Sequence, residues 1–225
     1  MIVHLSAVLA PSQVQLAMKR LSVCEWADGR ATAGYQGASV KNNRQLPENS
    51  AVSREMGAMM LSALERNPLF ISAALPNRVY PPLFNRYETG MEFGNHVDNA
   101  VRLQPQDGSK FRTDLSATVF LSALNDYDGG ELLIEDTFGT QQIKLPAGDM
   151  VLYPASSLHR VSPITRGARV ASFFWVESMV RDDAERTLLF DLDTAIQRLA
   201  ATQADQQARV QLTNCYHNLL RKWAL

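Results

Sequence analysis

The chain has 225 residues, 46% of them hydrophobic and 20% charged, with a formal net charge of −1. That composition suits a globular protein with one sizeable core, and near-neutral charge gives nucleic acid or an anionic membrane no electrostatic reason to bind. No apolar run approaches the roughly 20 residues needed to cross a bilayer. The opening MIVHLSAVLAPSQ lacks the basic flank of a secretory leader, and Cys24 and Cys215 make no disulfide framework, so a cytoplasmic protein is expected.

Residues 1–77 read as helices and loops. After Pro11-Ser12, Val14, Ala17, Met18 and Leu21 recur at helical spacing, and Val52, Met56, Met59, Met60, Ala63 and Leu64 form a second stripe between Ser50 and Arg66. The methionines read as core filling. Between the helices, Asp28-Gly29-Arg30 to Gly37 and then Lys41-Asn42-Asn43 read either as loops and a hairpin or as one wall of a substrate mouth.

From residue 78 to 177 the texture changes to short strands punctuated by Gly, Pro, Asn and Asp. Strands are expected at Leu83–Tyr87, from His96 to Asp98, at Asp114–Leu121, after the turn Asp126–Gly130 at Glu131–Glu135, at Gln141–Leu145, at Asp149–Tyr153, from His159, and at Arg169–Glu177. Short strands at this spacing predict a sandwich or jelly roll with a mouth between its sheets. Residues 178–225 return to helical periodicity. Leu188, Leu192, Ala195, Ile196 and Leu199 mark one helix; after the polar break Thr202–Gln207, Val210, Leu219, Leu220 and Trp223 mark another. Each stripe must be buried against the barrel or in a homo-oligomer.

His96 and Asp98, two residues apart, share one face of a strand. With His159 they make a two-histidine, one-carboxylate set that leaves three positions of an octahedron open, the ligand pattern of non-haem Fe(II) oxygenases. Arg169 follows His159 by ten residues on the last predicted strand, with no acidic neighbour in Arg-Val-Ala-Ser-Phe-Phe-Trp. If the two residues sit on antiparallel neighbours, both face inward, and an inward arginine needs an anion. A dicarboxylic 2-oxo acid would chelate the metal with its oxo group and adjacent carboxylate, and would pair its far carboxylate with the guanidinium fork.

His96-Val97-Asp98, His159 and Arg169, in that order, resemble the pattern of Fe(II)- and 2-oxoglutarate-dependent dioxygenases. Asn85-Arg86-Tyr87, Tyr127-Asp128-Gly129-Gly130-Glu131-Leu132, Pro146-Ala147-Gly148-Asp149 and Leu152-Tyr153-Pro154 are similar to the prolyl/lysyl hydroxylase-like branch. Arg112-Thr113-Asp114-Leu115-Ser116 and the end-to-end layout resemble the bacterial PKHD-type hydroxylases. The resemblance implies a mainly β fold: a double-stranded β-helix (jelly-roll) core over about residues 78–177, flanked by N-terminal helices and a C-terminal helical extension. It implies Fe(II) on His96, Asp98 and His159, 2-oxoglutarate as cosubstrate held by Arg169, O₂ as co-reactant and L-ascorbate as supporting reductant. The implied reaction hydroxylates a substrate C–H bond while 2-oxoglutarate is decarboxylated to succinate. A prolyl or lysyl side chain, a free amino acid and a siderophore all remain open as substrate, and relatives are associated with iron and siderophore uptake. Phe93 stands where relatives commonly carry an aromatic hydroxyl, Asn95 where they are often aromatic, and Ala171 removes the Arg-x-Ser pairing of some branches. Hydroxyl help for the oxo acid is therefore expected from Tyr87 first, then from Ser116 or Thr118.

Two other readings compete: a Zn(II) or Mn(II) enzyme on the same fold, and a non-catalytic sensor of iron or 2-oxoglutarate. A metallohydrolase has no use for the Arg169 clamp, whereas a sensor keeps all four residues. Gly129-Gly130 lacks the lysine and following helix of a phosphate loop and reads as a turn. His4 and His217 lack partners at ligand spacing. Asp107, Asp114 and Asp128 do not lie two residues from a histidine, and Ser156-Ser157 lacks a nucleophile elbow.

Overall fold

The computed structural model describes residues 1–105, 107–136, 139–202 and 205–225, with residues 31 and 32 described in their backbone alone. The N-terminal part runs β1 (Val3–Leu5), α1 (Pro11–Ser22), β2 (Ala27–Asp28), a 3₁₀ turn (Gly29–Thr32), α2 (Tyr35–Val40), β3 (Lys41–Asn42), β4 (Arg44–Gln45), α3 (Ala51–Leu64) and α4 (Pro68–Ala74). Then follow β5 (Pro76–Val79), β6 (Leu83–Glu88), β7 (Glu92–His96), β8 (Val101–Leu103), β9 (Lys110–Arg112) and β10 (Leu115–Phe120). The last stretch is β11 (Tyr127–Gly129), β12 (Leu132–Asp136), β13 (Gly139–Ile143), β14 (Met150–Pro154), β15 (His159–Val161), β16 (Ile164–Ser178), α5 (Asp183–Ala201) and α6 (Gln206–Trp223).

Two sheets face each other, as a jelly roll requires. The larger has the order β1-β14-β10-β16-β6-β4-β2, with β5 and β11 also on β16; the smaller has the order β13-β12-β15-β7-β3. The pleat sorts the side chains of the larger sheet. Leu115, Ala117 and Val119 of β10 and Val170, Phe174 and Val176 of β16 pack on α1, α3 and α4 through Ala17, Leu21, Met56, Met60 and Phe70. The alternate residues, Ser116 and Thr118 on β10 and Arg169 and Phe173 on β16, turn into the space between the sheets and line one pocket. Helix starts follow local chemistry: Pro11 opens α1, the Ser50 side chain accepts from Ser53 N at α3, and Asn67 accepts from Phe70 N at α4.

Several expectations need correction. The first 77 residues are not only helix and loop, because β1 extends the large sheet, β4 joins it and β3 edges the small one. Two- and three-residue strands are too short to show periodicity, and their partners lie far away in sequence. The turn Asp126–Gly130 contains β11, and the last strand starts at Ile164, five residues before Arg169. The strand begun by His96 instead ends there, with Asp98 beyond it. β15 and β16 are not neighbours either: β15 pairs with β12 and β7, while Arg169 pairs with Tyr87 in the other sheet. Pro163 lies between the two strands and offers no N–H to a ladder, so the chain crosses from one sheet to the other there.

The tail docks on the barrel through Leu189, Tyr216, Leu219, Leu220 and Trp223, which pack with Leu75 and Val180. Leu188 and Val210, expected in the buried stripes, are 52% and 61% exposed. Polar anchors set the docked face. Buried Arg186 donates to Val180 O at 2.7 Å, and Ser72 donates to Asp193 across the α4–α5 contact. Part of the break Thr202–Gln207 lies outside the described residues. Among those described, no helix is long and apolar enough to cross a membrane.

Candidate active site

His96 ends β7 directly opposite His159 on β15, and their ring centroids are 4.2 Å apart. Each imidazole is fixed by a backbone carbonyl two residues upstream: Nδ1 of His96 donates to Gly94 O at 2.8 Å, and Nδ1 of His159 to Ser157 O at 2.9 Å. A carbonyl can only accept, so both Nδ1 atoms carry the proton and both Nε2 lone pairs are available as ligands. Burial first, then the neighbouring His159, pushes the His96 imidazole down to about 4, which keeps it neutral near pH 7.

Asp98 completes the group from beyond the strand end. Its Oδ2 lies 3.9 Å from His159 Nε2 and accepts a hydrogen bond of 2.5 Å from Ser116 Oγ. Ser116 belongs to β10 in the opposite sheet, and Asp98 meets it from just beyond the end of the β7 ladder. Among the described residues, His96, Asp98 and His159 are the set of acidic, histidine or cysteine side chains whose ligand atoms converge, all within 4.8 Å. Two imidazole Nε2 atoms and one carboxylate on one side, open on the other, fit a divalent transition metal such as Fe(II).

Arg169 is 1% exposed, and its Nε and Nη1 are buried without a hydrogen-bond partner. The guanidinium carbon lies 5.1 Å from the Phe120 ring centroid and 5.5 Å from that of Tyr87. Burial raises the Tyr127 phenol, and Arg169 beside it opposes that rise through its charge and a side-chain hydrogen bond. A buried cation with two orphaned N–H groups, opening on the pocket of the triad, matches the fork that a carboxylate accepts from. Gly130 makes room for it: its φ is +67°, and a Cβ there would lie 3.1 Å from Arg169 Cδ and 2.4 Å from Ile164 Cδ1. The Gly129-Gly130 turn thus has a packing role.

Tyr87, Ser116 and Thr118 all line the pocket. Burial pushes the Tyr87 phenol up to about 12 despite Arg169 beside it, so it stays a donor. Ser116 spends its hydrogen on Asp98 instead of facing Arg169. Sequence reasoning missed Tyr153, whose ring sits edge-on to His159 at 5.2 Å and whose phenol burial holds protonated. The alternation of β14 was its available signal. It also missed Arg102, which lines the pocket from the β8–β9 hairpin and carries no sequence signal. Phe93, in place of an aromatic hydroxyl, stacks flat on His96 at 3.5 Å.

Comparison with known proteins agrees with this geometry. Residues 82–177 match the 2OG-Fe(II) oxygenase superfamily, and residues 183–224 match the PKHD-type hydroxylase C-terminal domain. A PKHD-type hydroxylase of Burkholderia ambifaria is 65% identical over 226 residues, covering 100% of this chain and 99% of its own. The chain belongs to the PKHD-type hydroxylases. A family member from Cupriavidus pinatubonensis is 59% identical, again over 100% of this chain and 99% of its own. Solved structures share the fold. A Pseudomonas putida prolyl-4-hydroxylase has TM-score 0.55 at 19% identity, covering 79% of this chain and 92% of that one. A Trichoplax adhaerens prolyl hydroxylase, solved with a hypoxia inducible factor peptide, has TM-score 0.56 at 15% identity over 83% and 86%. As a PKHD-type hydroxylase the protein is an oxidoreductase using Fe(II), 2-oxoglutarate and O₂.

Proposed function

We propose that the protein hydroxylates a C–H bond of a small-molecule or peptidyl substrate, with His96, Asp98 and His159 holding Fe(II) and Arg169 binding the far carboxylate of 2-oxoglutarate. The observation that carries this reading is the pairing of a converging His-Asp-His group with a buried arginine whose Nε and Nη1 have no partner. Iron, when bound, supplies the oxygen activation. The chain's own part is to fix both imidazole tautomers through Gly94 and Ser157, orient Asp98 through Ser116, offer Tyr87 as a donor near Arg169, and wall off the reacting centre with Phe93, Leu132 and Val161. Measuring O₂ uptake and succinate release with Fe(II) and 2-oxoglutarate tests the reading. Neither product nor uptake above a metal-free control would leave a binding protein without this activity.

The finer parts of the reading have tests of their own. Sustained turnover on adding ascorbate checks the reductant. Induction under iron starvation checks the association with iron and siderophore uptake, which rests on the family resemblance. Titration of two free thiols in unreduced cytoplasmic protein checks the compartment, supported by Cys24 and Cys215 both being free. Sedimentation checks a homo-oligomer through the outer faces of α5 and α6, where Leu188 and Val210 stand exposed.

A further inference from the structure

The pocket has a second positively charged end. Lys41, at the start of β3, is 6% exposed, with its Nζ 5.4 Å from the Phe93 ring centroid and 5.9 Å from that of Phe173. Arg102, on β8, lays its guanidinium over Trp175 at 4.2 Å and Tyr80 at 5.1 Å, and its Nε is buried without a hydrogen-bond partner. Both cations line the pocket that holds the triad. Lys41 Nζ donates to Gln45 Oε1 at 3.1 Å, and burial, then the Arg102 charge, pushes the ammonium down to about 8 against the opposing pull of Asp98. The stacked Arg102, with its buried Nε still lacking an acceptor, is the group that calls for an anion here, and Lys41 brings a second positive charge to the same pocket.

On the proposed assignment, the cosubstrate is not that anion. Its chelating end belongs to the metal and its far carboxylate to Arg169. Register separates the two ends: Ser116, which holds Asp98, stands opposite Trp175, and Arg169 lies six residues from Trp175 on β16, roughly 20 Å along the strand. Trp175 and the Arg102 stacked on it therefore lie on the Asp98 side, away from Arg169, and Lys41, beside Phe173, is within the influence of Asp98. Stacking occupies the faces of the Arg102 guanidinium and leaves its edge N–H groups for a planar acceptor.

We propose that the primary substrate carries a carboxylate, seated between the guanidinium edge of Arg102 and the Lys41 ammonium, with an apolar or aromatic portion against Phe173 and Trp175. This inference rests on Arg169 being the cosubstrate clamp. It favours a free amino acid, a peptide C-terminus or a carboxylate siderophore. It disfavours an internal peptidyl lysine, which brings a third cation and no anion.

The test uses enzyme loaded with Mn(II) in place of Fe(II) and saturated with 2-oxoglutarate, so that binding is read without turnover. Calorimetry compares hexanoate, 3-phenylpropionate and N-acetyltryptophan, each with its own amide, and adds 3-phenylpropylamine. At least one carboxylate is expected to bind about tenfold tighter than its amide, about 1.4 kcal/mol, with the amine weakest. That preference should shrink to within about twofold in Arg102→Gln and in Lys41→Met, while 2-oxoglutarate still binds both variants. No carboxylate preferred over its amide, absence of binding by every probe, or a preference that both variants keep would overturn the inference. The first titration, 2-oxoglutarate into the Mn(II) enzyme, separates the two readings: its failure removes the cosubstrate assignment and this inference together, whereas its success followed by no carboxylate preference removes the inference alone.

Discussion

The two charged ends of the pocket are built differently. Arg169 stands in the middle of a 15-residue strand flanked by β10 and β6, under a glycine whose missing side chain makes space for it. Lys41 and Arg102 come from two- and three-residue strands at the rim, one edging the small sheet and one in an isolated hairpin whose Val101 and Leu103 are exposed. The deep end is held by core ladders from both sides, so its geometry is tied to the fold. The rim is held by short edge ladders, the Lys41–Gln45 hydrogen bond and aromatic stacking, which lets its chemistry change with less effect on the barrel.

The sharpest way to break this comparison is at the metal, which both ends need. Asp98→Ala should lower Fe(II)-dependent 2-oxoglutarate turnover by at least about 1000-fold, more than about 4 kcal/mol, with an unchanged circular dichroism spectrum. Full turnover in that variant would remove the triad from the mechanism. Next comes the deep end. Arg169→Ala leaves a buried carboxylate without its partner, a loss of about 3–5 kcal/mol, or roughly 100- to 4000-fold in 2-oxoglutarate affinity by calorimetry. Arg169→Lys should recover part of it, because an ammonium cannot reproduce the fork. Pyruvate, which lacks the far carboxylate, should be little affected.

A control away from both ends separates stability from binding. Leu189→Ala opens a cavity beneath the docked tail and should cost about 2–3 kcal/mol in urea unfolding while 2-oxoglutarate affinity stays put. The smallest effect is expected at the rim. Lys41 carries its charge at a depressed value of about 8 against an ordinary 10.5, so below pH 8 the folded state bears the full penalty of a buried charge. The penalty fades as pH rises from 8 towards 10.5, where the folded lysine is neutral and the unfolded one still charged. Lys41→Met should therefore stabilise the protein by about 1–2 kcal/mol at pH 7, and by progressively less above pH 8 in thermal melts. A variant less stable than wild type at pH 7 would mean that the contacts of Lys41 with Gln45, Phe93 and Phe173 outweigh its desolvation.

Much of the barrel was legible in the sequence because the pleat has period 2 and turns have their own chemistry. Leu115, Ala117 and Val119 reveal one face of β10, and Pro11 and Ser50 mark two helix starts. The residue types at 96, 98, 159 and 169 also pointed to the chemistry proposed for them, since few side chains ligate iron and an arginine among apolar neighbours needs an anion. What the sequence could not decide is how those residues meet. Asp98 does not share the strand face of His96 by period 2: it lies beyond the strand end, where Ser116 of the opposite sheet donates to it. His159 and Arg169 face each other across the barrel because Pro163 lets the chain change sheets, not because their strands pair. The docked face of the tail depends on Arg186 and Asp193, polar residues that an apolar stripe ignores. Arg102 joins the pocket only when an exposed hairpin folds over Trp175. Local periodicity fixes which face a residue takes on its own element, whereas contacts between distant elements fix which faces meet.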